Sequence, residues 1–254
     1  AEANRGHAVG YGDDPWTASA CARFKQEFGP AAETFFVWNG TGANVLALSL
    51  LCGPGSAALC SESAHIFIDE AGAPEAAGIK SLPLPSGRDG KLLPEGLKKG
   101  LEDQGNVHKA RPACVSISEP TELGAVYSLA EIKELAAIAH GAGLPLHMDG
   151  ARLANAAVVL GLPFRAFTVD AGVDILSFGG TKNGLLCGEA VITFKSELAA
   201  AAPFLRKARL QLASKMRFIS AQYEAYLEGE LWRRNAENSN RGAKRLAALL
   251  REIP

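Results

Sequence analysis

Apolar segments rich in β-branched residues alternate with helical segments along most of the chain, and short turns of small or polar residues separate them. Strands are predicted at 34–38, 113–118, 144–148, 173–178 and 190–194. Consecutive parallel strands need a long crossover connection, usually a helix, so this alternation favours a mainly parallel sheet with helices on both faces. The sequence therefore predicts an α/β fold.

Two of the predicted helices carry start and stop signals. Asp14-Pro15 has the pattern of an N-cap followed by a first helical residue, and Gly29-Pro30 ends that helix. Ser128 and Glu131 form a capping-box pattern for a helix that runs to about residue 140. Further helices are predicted at 43–52, 203–227 and 230–252, where apolar residues recur at helical spacing.

Composition excludes several classes of function. The chain has 254 residues, of which 48% are apolar and 21% charged, with a net charge of −1. This composition is ordinary for a globular enzyme with a sizeable core, and near-neutral charge gives no electrostatic case for binding nucleic acid or an anionic membrane. No uninterrupted apolar stretch approaches the roughly 18 residues of a membrane-spanning helix.

The cysteines and the first residues indicate the compartment. The five cysteines are scattered, odd in number and nowhere spaced as C-x-x-C, which favours free, mostly buried thiols over disulfides or zinc ligands. No histidine pair has metal-ligand spacing, so no metal site is expected. Residues 1–7 lack the charged leader and apolar block of a signal peptide, and a cytoplasmic location is expected.

Two strands end in residues that can carry chemistry. The strand within 174–184 opens into Gly179, Gly180, Thr181 and then Lys182, and the strand at 144–148 is followed directly by Asp149. Open α/β sheets bind their ligands at the carboxyl ends of the strands, so both side chains can face one pocket. A lysine and a carboxylate at opposite ends of one ring are what a pyridoxal phosphate enzyme needs. The lysine forms a Schiff base with the aldehyde, and the carboxylate keeps the pyridine nitrogen protonated.

A glycine-rich turn lies where a phosphate could bind. Gly40, Thr41 and Gly42 follow a strand and open a helix, where free backbone N–H groups and the positive end of the helix dipole converge. A plain tight turn remains an alternative. A second alternative is a dinucleotide fingerprint that lacks its third glycine, with Glu62 about 20 residues downstream.

Two further side chains are candidates for the same site. His65 follows the strand-like segment 57–60, where an imidazole could stack on a cofactor ring or move protons, although a lone histidine is more often structural. Arg152 follows Asp149 at the carboxyl end of its strand, where open α/β sheets place their ligands, although it could equally be a surface residue.

Taken together, these segments resemble the threonine aldolase and β-eliminating lyase family of fold-type-I pyridoxal phosphate enzymes, and in particular its low-specificity L-threonine aldolase branch, which includes phenylserine aldolases. The similarity covers nearly the whole chain. It is carried by the segments 11–15, 40–44, His65, 121–124, 147–152 and 180–183. The resemblance implies the large domain of an aspartate-aminotransferase-like fold.

Carried over position by position, the resemblance implies a role for each candidate. Lys182 is the Schiff-base lysine, Asp149 is the partner of the pyridine nitrogen, and His65 stacks over the ring. Arg152 reaches a cofactor oxygen and the substrate carboxylate. Gly40, Thr41 and Gly42 contact the phosphate.

The family also implies an oligomer, a dimer or more commonly a tetramer, with active sites shared between subunits. The Tyr11 segment would then approach a neighbour's site. Some relatives carry a histidine where this chain has Glu122, which leaves the general base open. The family's N-terminal serine and its C-terminal small domain would lie outside the sequence. Residues 1–227 are therefore expected to form the pyridoxal phosphate-binding large domain, and 228–254 a helix that leads towards the small domain.

The function that the resemblance implies is retro-aldol cleavage of L-threonine, L-allo-threonine or related β-hydroxy-α-amino acids, such as phenylserine, to glycine and an aldehyde. Another reaction of the same cofactor, β-elimination or amino-group transfer, is the nearest alternative. An NAD-dependent oxidoreductase and an inactive cofactor-binding protein are more distant alternatives.

Overall fold

In a computed structural model, which describes residues 1–102 and 104–253, the described strands form one seven-stranded sheet. The strands are β1 (Glu33–Val37), β2 (Ser56–Ser61), β3 (Lys80–Leu84), β4 (Arg111–Ser118), β5 (Leu146–Gly150), β6 (Ile175–Phe178) and β7 (Glu189–Thr193). Their order across the sheet is β1-β7-β6-β5-β4-β2-β3. Strands β3, β2, β4, β5 and β6 run parallel, and β7 is antiparallel to both β6 and β1. The predicted mainly parallel sheet is confirmed.

Helices cover both faces of this sheet. They are α1 (Pro15–Phe28), α2 (Gly40–Leu51), α3 (His65–Ile68), α4 (Ala73–Ala76), α5 (Pro94–Leu101), α6 (Leu129–Gly141), α7 (Leu153–Leu160), α8 (Phe164–Phe167), α9 (Ser196–Ala208), α10 (Arg217–Leu227) and α11 (Leu231–Leu250). Short 3-10 turns lie at Glu2–Asn4, Val169–Ala171, Thr181–Asn183 and Glu228–Glu230. Pro254, the last residue of the predicted second segment, lies outside the described residues.

The core divides between the two faces because successive strand residues point in opposite directions. On β6, Leu176 packs with α1, α6, α7 and α10, whereas Ile175 packs with α2. On β7, Ile192 packs on the same face as Leu176, and Val191 packs on the same face as Ile175. Strands buried on both faces read as continuous apolar segments, which is why these two were recognised in the sequence.

The predicted cap signals form as expected. The Asp14 side chain accepts a hydrogen bond from the Thr17 backbone N–H at 2.8 Å, and α1 ends at Gly29 with a φ of 101°. At the start of α6, the Ser128 hydroxyl and the Glu131 carboxylate each accept a hydrogen bond from the other residue's backbone N–H, at 3.3 Å and 2.6 Å. The capping box is therefore complete.

Two differences from the prediction have a clear physical reason. Strand β3 was not predicted because Pro83 interrupts its pattern, but proline is tolerated there since β3 is an edge strand. The predicted helix at 203–227 is wrong, because the structure has two helices, α9 and α10, separated by residues 209–216. The break is stabilised by contacts with distant residues. Ser214 accepts from the Tyr11 backbone N–H at 2.9 Å, and Gln211 Oε1 accepts from Trp38 N at 3.0 Å.

Among the described residues, no single helix is both long and apolar enough to cross a membrane. One bent pair of short segments, Leu153–Leu160 and Phe164–Ala171, reaches the required length and composition only when the two are counted together.

Candidate active site

The carboxyl ends of β5 and β6 bring Asp149 and Lys182 to one pocket. In the parallel register Asp149 lies opposite Ser177, and the chain then turns through Gly179 and Gly180 to reach Lys182. Both side chains line one pocket, together with Gly40 and His65. The structure therefore places four of the predicted site residues around one cavity.

Lys182 lies in the short 3-10 turn Thr181–Asn183, and its side chain is exposed. Within the described part of the chain, its amine makes no hydrogen bond or ion pair. The turn itself is held by Glu189, whose Oε2 accepts from the Gly180 backbone N–H at 2.6 Å. Asn183 fixes the other end by donating to Tyr226 at 2.6 Å and to the Trp232 carbonyl at 3.1 Å. A rigid turn with a free amine at its surface suits a lysine that must react.

Asp149 is buried, and both its carboxylate oxygens have a donor. Oδ1 accepts from the Ala151 backbone N–H at 3.0 Å, and Oδ2 accepts from Asn44 Nδ2 at 2.8 Å. Each oxygen can accept a second bond. The carboxylate is thus held in a defined orientation with capacity left for another donor in the pocket.

His65 begins α3 and is held from two sides. Its Nδ1 lies 3.0 Å from Glu70 Oε1, and its backbone N–H donates to Glu122 Oε1 at 2.9 Å. The Ser118 hydroxyl donates to the same Glu122 oxygen at 2.9 Å. Glu122, the candidate that departs from the family pattern, therefore lies directly beside His65.

Three carboxyl groups line this pocket, and two of them are protonated more readily than usual. Burial raises the pKa of Glu70, and the charge of Asp149 adds to that effect, whereas hydrogen bonds from Asn44 and His65 oppose it. Burial also raises the pKa of Glu189, although hydrogen bonds from Gly180 and Thr181 lower it in part. Like charges in one buried site disfavour simultaneous ionisation, so the pocket can hold a proton close to Asp149.

The start of α2 differs in part from the predicted phosphate turn. The helix begins at Gly40, three residues earlier than predicted, because Asn39 is its N-cap and accepts from the Gly42 backbone N–H at 2.7 Å. Gly42 is covered by Gln211, and Thr41 and Gly42 line a neighbouring cavity instead of the pocket. The backbone N–H groups of Gly40 and Thr41 remain without a partner in the described structure. They are therefore the two that could bind a phosphate.

Arg152 lies at the N-terminus of α7 and is exposed. It is not among the residues that line the pocket, and its guanidinium makes no hydrogen bond or ion pair to any described residue. The structure thus leaves Arg152 near the strand end that carries Asp149 but does not bring it into the cavity.

A fully buried histidine lies beneath the pocket. His147 Nδ1 lies 2.9 Å from the Ser116 hydroxyl, and its Nε2 lies 3.0 Å from the hydroxyl of Ser177, which lines the pocket. Burial lowers the pKa of His147 to about 4, although the charge of Asp149 opposes the effect. A neutral imidazole therefore supports the pocket floor.

The residues present fit the pyridoxal phosphate that the resemblance implies. Two polar atoms of pocket residues, Asn44 Oδ1 and Glu70 Oε2, are buried without a hydrogen-bond partner in the described structure, which is typical of a site for a polar ligand. A Cβ built on Gly40 would meet nothing within 4 Å, so space is open beside the two free N–H groups. Asp149 and Lys182 supply the carboxylate and the amine.

Among the pocket residues to which the sequence gave no role, Asn44, Glu70 and Glu189 carry amide or carboxyl side chains. Asn44 stands one helical turn after Gly40, and that spacing places both on one face of α2, so its position carried a usable signal. Glu70 follows His65 by five residues in an irregular segment, and Glu189 opens an antiparallel strand. Neither carboxylate stands in a local pattern that points to the pocket.

Comparison with known proteins agrees with this geometry. The sequence model of the family described as "Beta-eliminating lyase" matches residues 1–254. A protein of Pseudomonas aeruginosa named low specificity L-threonine aldolase is 44% identical over 256 residues, which cover 100% of this chain and 74% of that protein. The solved structure of threonine aldolase from Leishmania major superposes with a TM-score of 0.94 at 32% identity, covering 99% of this chain and 73% of that one.

The same fold is also found in a more distantly related structure. Aspartate aminotransferase from Thermus thermophilus superposes with a TM-score of 0.72, covering 97% of this chain and 64% of that one. At 17% identity this likeness shows the fold alone. It agrees with the aspartate-aminotransferase-like sheet that the resemblance implied.

Proposed function

Because this chain belongs to the β-eliminating lyase family, whose members use pyridoxal phosphate, we propose that it cleaves β-hydroxy-α-amino acids to glycine and an aldehyde. L-Threonine and L-allo-threonine are the proposed substrates, with phenylserine as a bulkier relative. The observation that carries the proposal is the shared pocket of Lys182 and Asp149, in a chain that is 44% identical to a low specificity L-threonine aldolase.

When bound, pyridoxal phosphate supplies an aldehyde that bonds to an amine and a ring that stores the electron pair released at Cα. The residues of this chain hold and tune that group. Lys182 would bind it covalently, and Asp149 would keep the ring nitrogen protonated, since an opposite charge nearby favours the protonated form. The free N–H groups of Gly40 and Thr41 would bind the phosphate at the positive end of α2. His65 would lie against the ring.

Cleavage requires that the Cα–Cβ bond stand where its electrons can enter the ring. Arg152 would orient the substrate by pairing with its carboxylate. A base would then remove the proton of the β-hydroxyl, the Cα–Cβ bond would break, and the aldehyde would leave. Return of a proton to Cα would complete glycine. Orientation of the substrate would supply a large part of the rate enhancement. Proton transfer would increase the rate by a further factor on the order of 10² to 10⁴.

The base is proposed to be His65 or Glu122. The imidazole of His65 lines the pocket, whereas Glu122 contacts the backbone of His65 and the hydroxyl of Ser118. His65 is favoured because its side chain faces the cavity, while Glu122 is not among the residues that line it.

Three further properties are proposed. Residues 1–227 form the cofactor-binding domain, and 228–254 lead towards a second, smaller domain. The protein is a homo-oligomer, a dimer or tetramer, in which the exposed Tyr11 segment approaches a neighbouring site. The location is cytoplasmic, which suits five free cysteines, three of them buried.

Reduction and product analysis test the function. Borohydride treatment of the protein with pyridoxal phosphate should fix the cofactor on Lys182, as mapped by peptide mass spectrometry. Incubation with L-threonine should yield equimolar glycine and acetaldehyde. Keto acid with ammonia would instead indicate β-elimination, and transfer of the amino group an aminotransferase. Either result, or an adduct on another lysine, would overturn the proposal.

A further inference from the structure

A single amide nitrogen joins two carboxyl groups in the pocket. Asn44 Nδ2 donates to Asp149 Oδ2 at 2.8 Å and to Glu70 Oε1 at 2.8 Å. Asn44 is 2% exposed, so neither bond competes with solvent. The three residues come from α2, from the end of β5 and from the segment after α3, which means that the tertiary fold alone brings them together.

The orientation of the Asn44 amide follows from its neighbours. Two carboxyl oxygens on one side of the amide require a donor between them, and the nitrogen is the donor end. Both of its hydrogens are then used, one by each carboxyl group. A rotation of the amide would break both bonds at once. Asn44 therefore fixes the positions of the Glu70 and Asp149 carboxyl groups relative to each other.

Glu70 extends this chain of bonds to His65. The Glu70 side chain is fully buried, and Oε1, the oxygen that accepts from Asn44, lies 3.0 Å from His65 Nδ1. With Oε1 as an acceptor, Nδ1 is the protonated nitrogen of the neutral imidazole, and Nε2 keeps its lone pair. No described residue bonds to Nε2. Glu70 thus sets which ring nitrogen is available to the pocket.

We propose that Glu70 and Asn44 are positioning residues for the proposed reaction, since together they link the His65 imidazole to the Asp149 carboxylate through one buried chain of hydrogen bonds. Glu70 acts through His65, and Asn44 acts through Asp149. The inference rests on the proposed function, in which His65 and Asp149 contact the cofactor.

The proposed role of Glu70 is tested by a double-mutant cycle with His65, which measures whether the two residues act through each other. Glu70→Leu removes the acceptor and should lower kcat/KM about tenfold or more, the loss expected for a hydrogen bond between charged or polarised groups. Glu70→Gln keeps an acceptor oxygen and should stay within about threefold of the wild type. In a His65→Phe background, the loss caused by Glu70→Leu should shrink to about threefold or less, because Nδ1 is gone.

The proposed role of Asn44 is tested by measuring cofactor affinity, which does not require that the protein turn over substrate. Asn44→Leu should raise the dissociation constant of pyridoxal phosphate about tenfold, measured from visible absorbance, because Asp149 loses the donor that orients it. In an Asp149→Asn background, the same substitution should change the dissociation constant by less than about threefold.

Glu119→Gln is the matched control for removal of a buried carboxyl group. Glu119 is also fully buried, but it does not line the pocket. This variant should leave kcat/KM and cofactor affinity at wild-type levels. Thermal unfolding of every variant shows which ones fold. If Glu70→Leu does not, Glu70→Asp replaces it, since the shorter side chain cannot reach Asn44 and His65 together.

The outcomes separate the two proposals. Losses that simply add in both cycles, or a Glu70→Leu or Glu70→Asp variant as active as the wild type, would overturn the inference and leave Glu70 and Asn44 as ordinary buried residues. A wild-type protein that binds the cofactor but gives no glycine and aldehyde would overturn the proposed function. The cofactor-affinity cycle would still decide whether Asn44 acts through Asp149.

Discussion

Gly179 lies in direct contact with the backbone of Ala151, so close that a Cβ on Gly179 would stand 2.1 Å from the Ala151 carbonyl oxygen. The Gly179 N–H also donates to the Gly150 carbonyl at 3.0 Å. This contact joins the turn that carries Lys182 to the end of the strand that carries Asp149. The spacing of the two reactive side chains therefore depends on a residue without a side chain.

Gly179→Ala should separate the two strand ends. The added methyl group meets backbone atoms that cannot rotate away, so we expect a loss of stability of about 3 kcal/mol or a displaced Lys182 turn with weak cofactor binding. Chemical denaturation and cofactor titration measure the two effects. Gly141→Ala is the control, since a Cβ there meets nothing within 4 Å. A Gly179→Ala protein with unchanged stability and affinity would show that the contact is not tight.

Asp149→Asn should leave the cofactor bound, although more weakly, but lower the rate of cleavage by several orders of magnitude. The neutral amide no longer favours a protonated pyridine nitrogen, which is the form that accepts electrons. Steady-state kinetics and absorbance measure the two properties. Asp174→Asn removes another buried carboxylate, one that pairs with His140 and Lys195 away from the pocket, and should keep the wild-type rate. Near-wild-type turnover of Asp149→Asn would assign the carboxylate another role.

Substitutions of His65 distinguish stacking from proton transfer. His65→Phe keeps a flat aromatic face without nitrogens, and His65→Ala removes both features. If stacking dominates, the Phe variant should retain much more cofactor affinity and activity than the Ala variant. Equal and severe losses of kcat with the cofactor still bound would identify His65 as the base. Cofactor titration and kcat for each variant give the comparison.

Arg152→Ala should raise KM for L-threonine roughly ten- to a hundredfold, since a charge-assisted hydrogen bond contributes about 1.5–3 kcal/mol. The cofactor dissociation constant should change much less, because Arg152 does not line the pocket. Arg165→Ala provides a surface control, as the Arg165 guanidinium pairs with Asp170 on an exposed face. An unchanged KM in Arg152→Ala would mean that other groups bind the substrate carboxylate.

Glu119 should make the protein less stable as the pH rises. Burial raises the pKa of Glu119 from 4.5 to about 8, although the Tyr127 backbone N–H opposes the effect. Between these values the folded chain keeps a proton that the unfolded chain has released, so the free energy of unfolding falls with increasing pH. Glu119→Gln has no such proton, and its stability relative to wild type should increase from pH 5 to pH 8. Parallel pH profiles of the two proteins in urea unfolding would contradict this.

Much of the fold could be predicted from the sequence because its signals are local. The caps of α1 and α6, the buried strands at the centre of the sheet and the parallel arrangement follow from residue patterns a few positions long. Proline in the edge strand β3 and the break between α9 and α10 could not be predicted in this way. In both cases the position in the sheet or contacts with distant residues override the local pattern.

The site residues also fall into those that the sequence predicted and those that only the structure identified. The sequence by itself determined that Asp149 and Lys182 each follow a strand and can face one pocket, because parallel strands place their carboxyl ends on one edge of the sheet. Only the tertiary structure decided that Glu70 and Glu189 share the pocket and that Arg152 stays outside it. Hydrogen bonds such as that between Asn44 and Asp149 span 105 residues of chain, and a residue pattern carries no information about which distant side chains a fold will bring together.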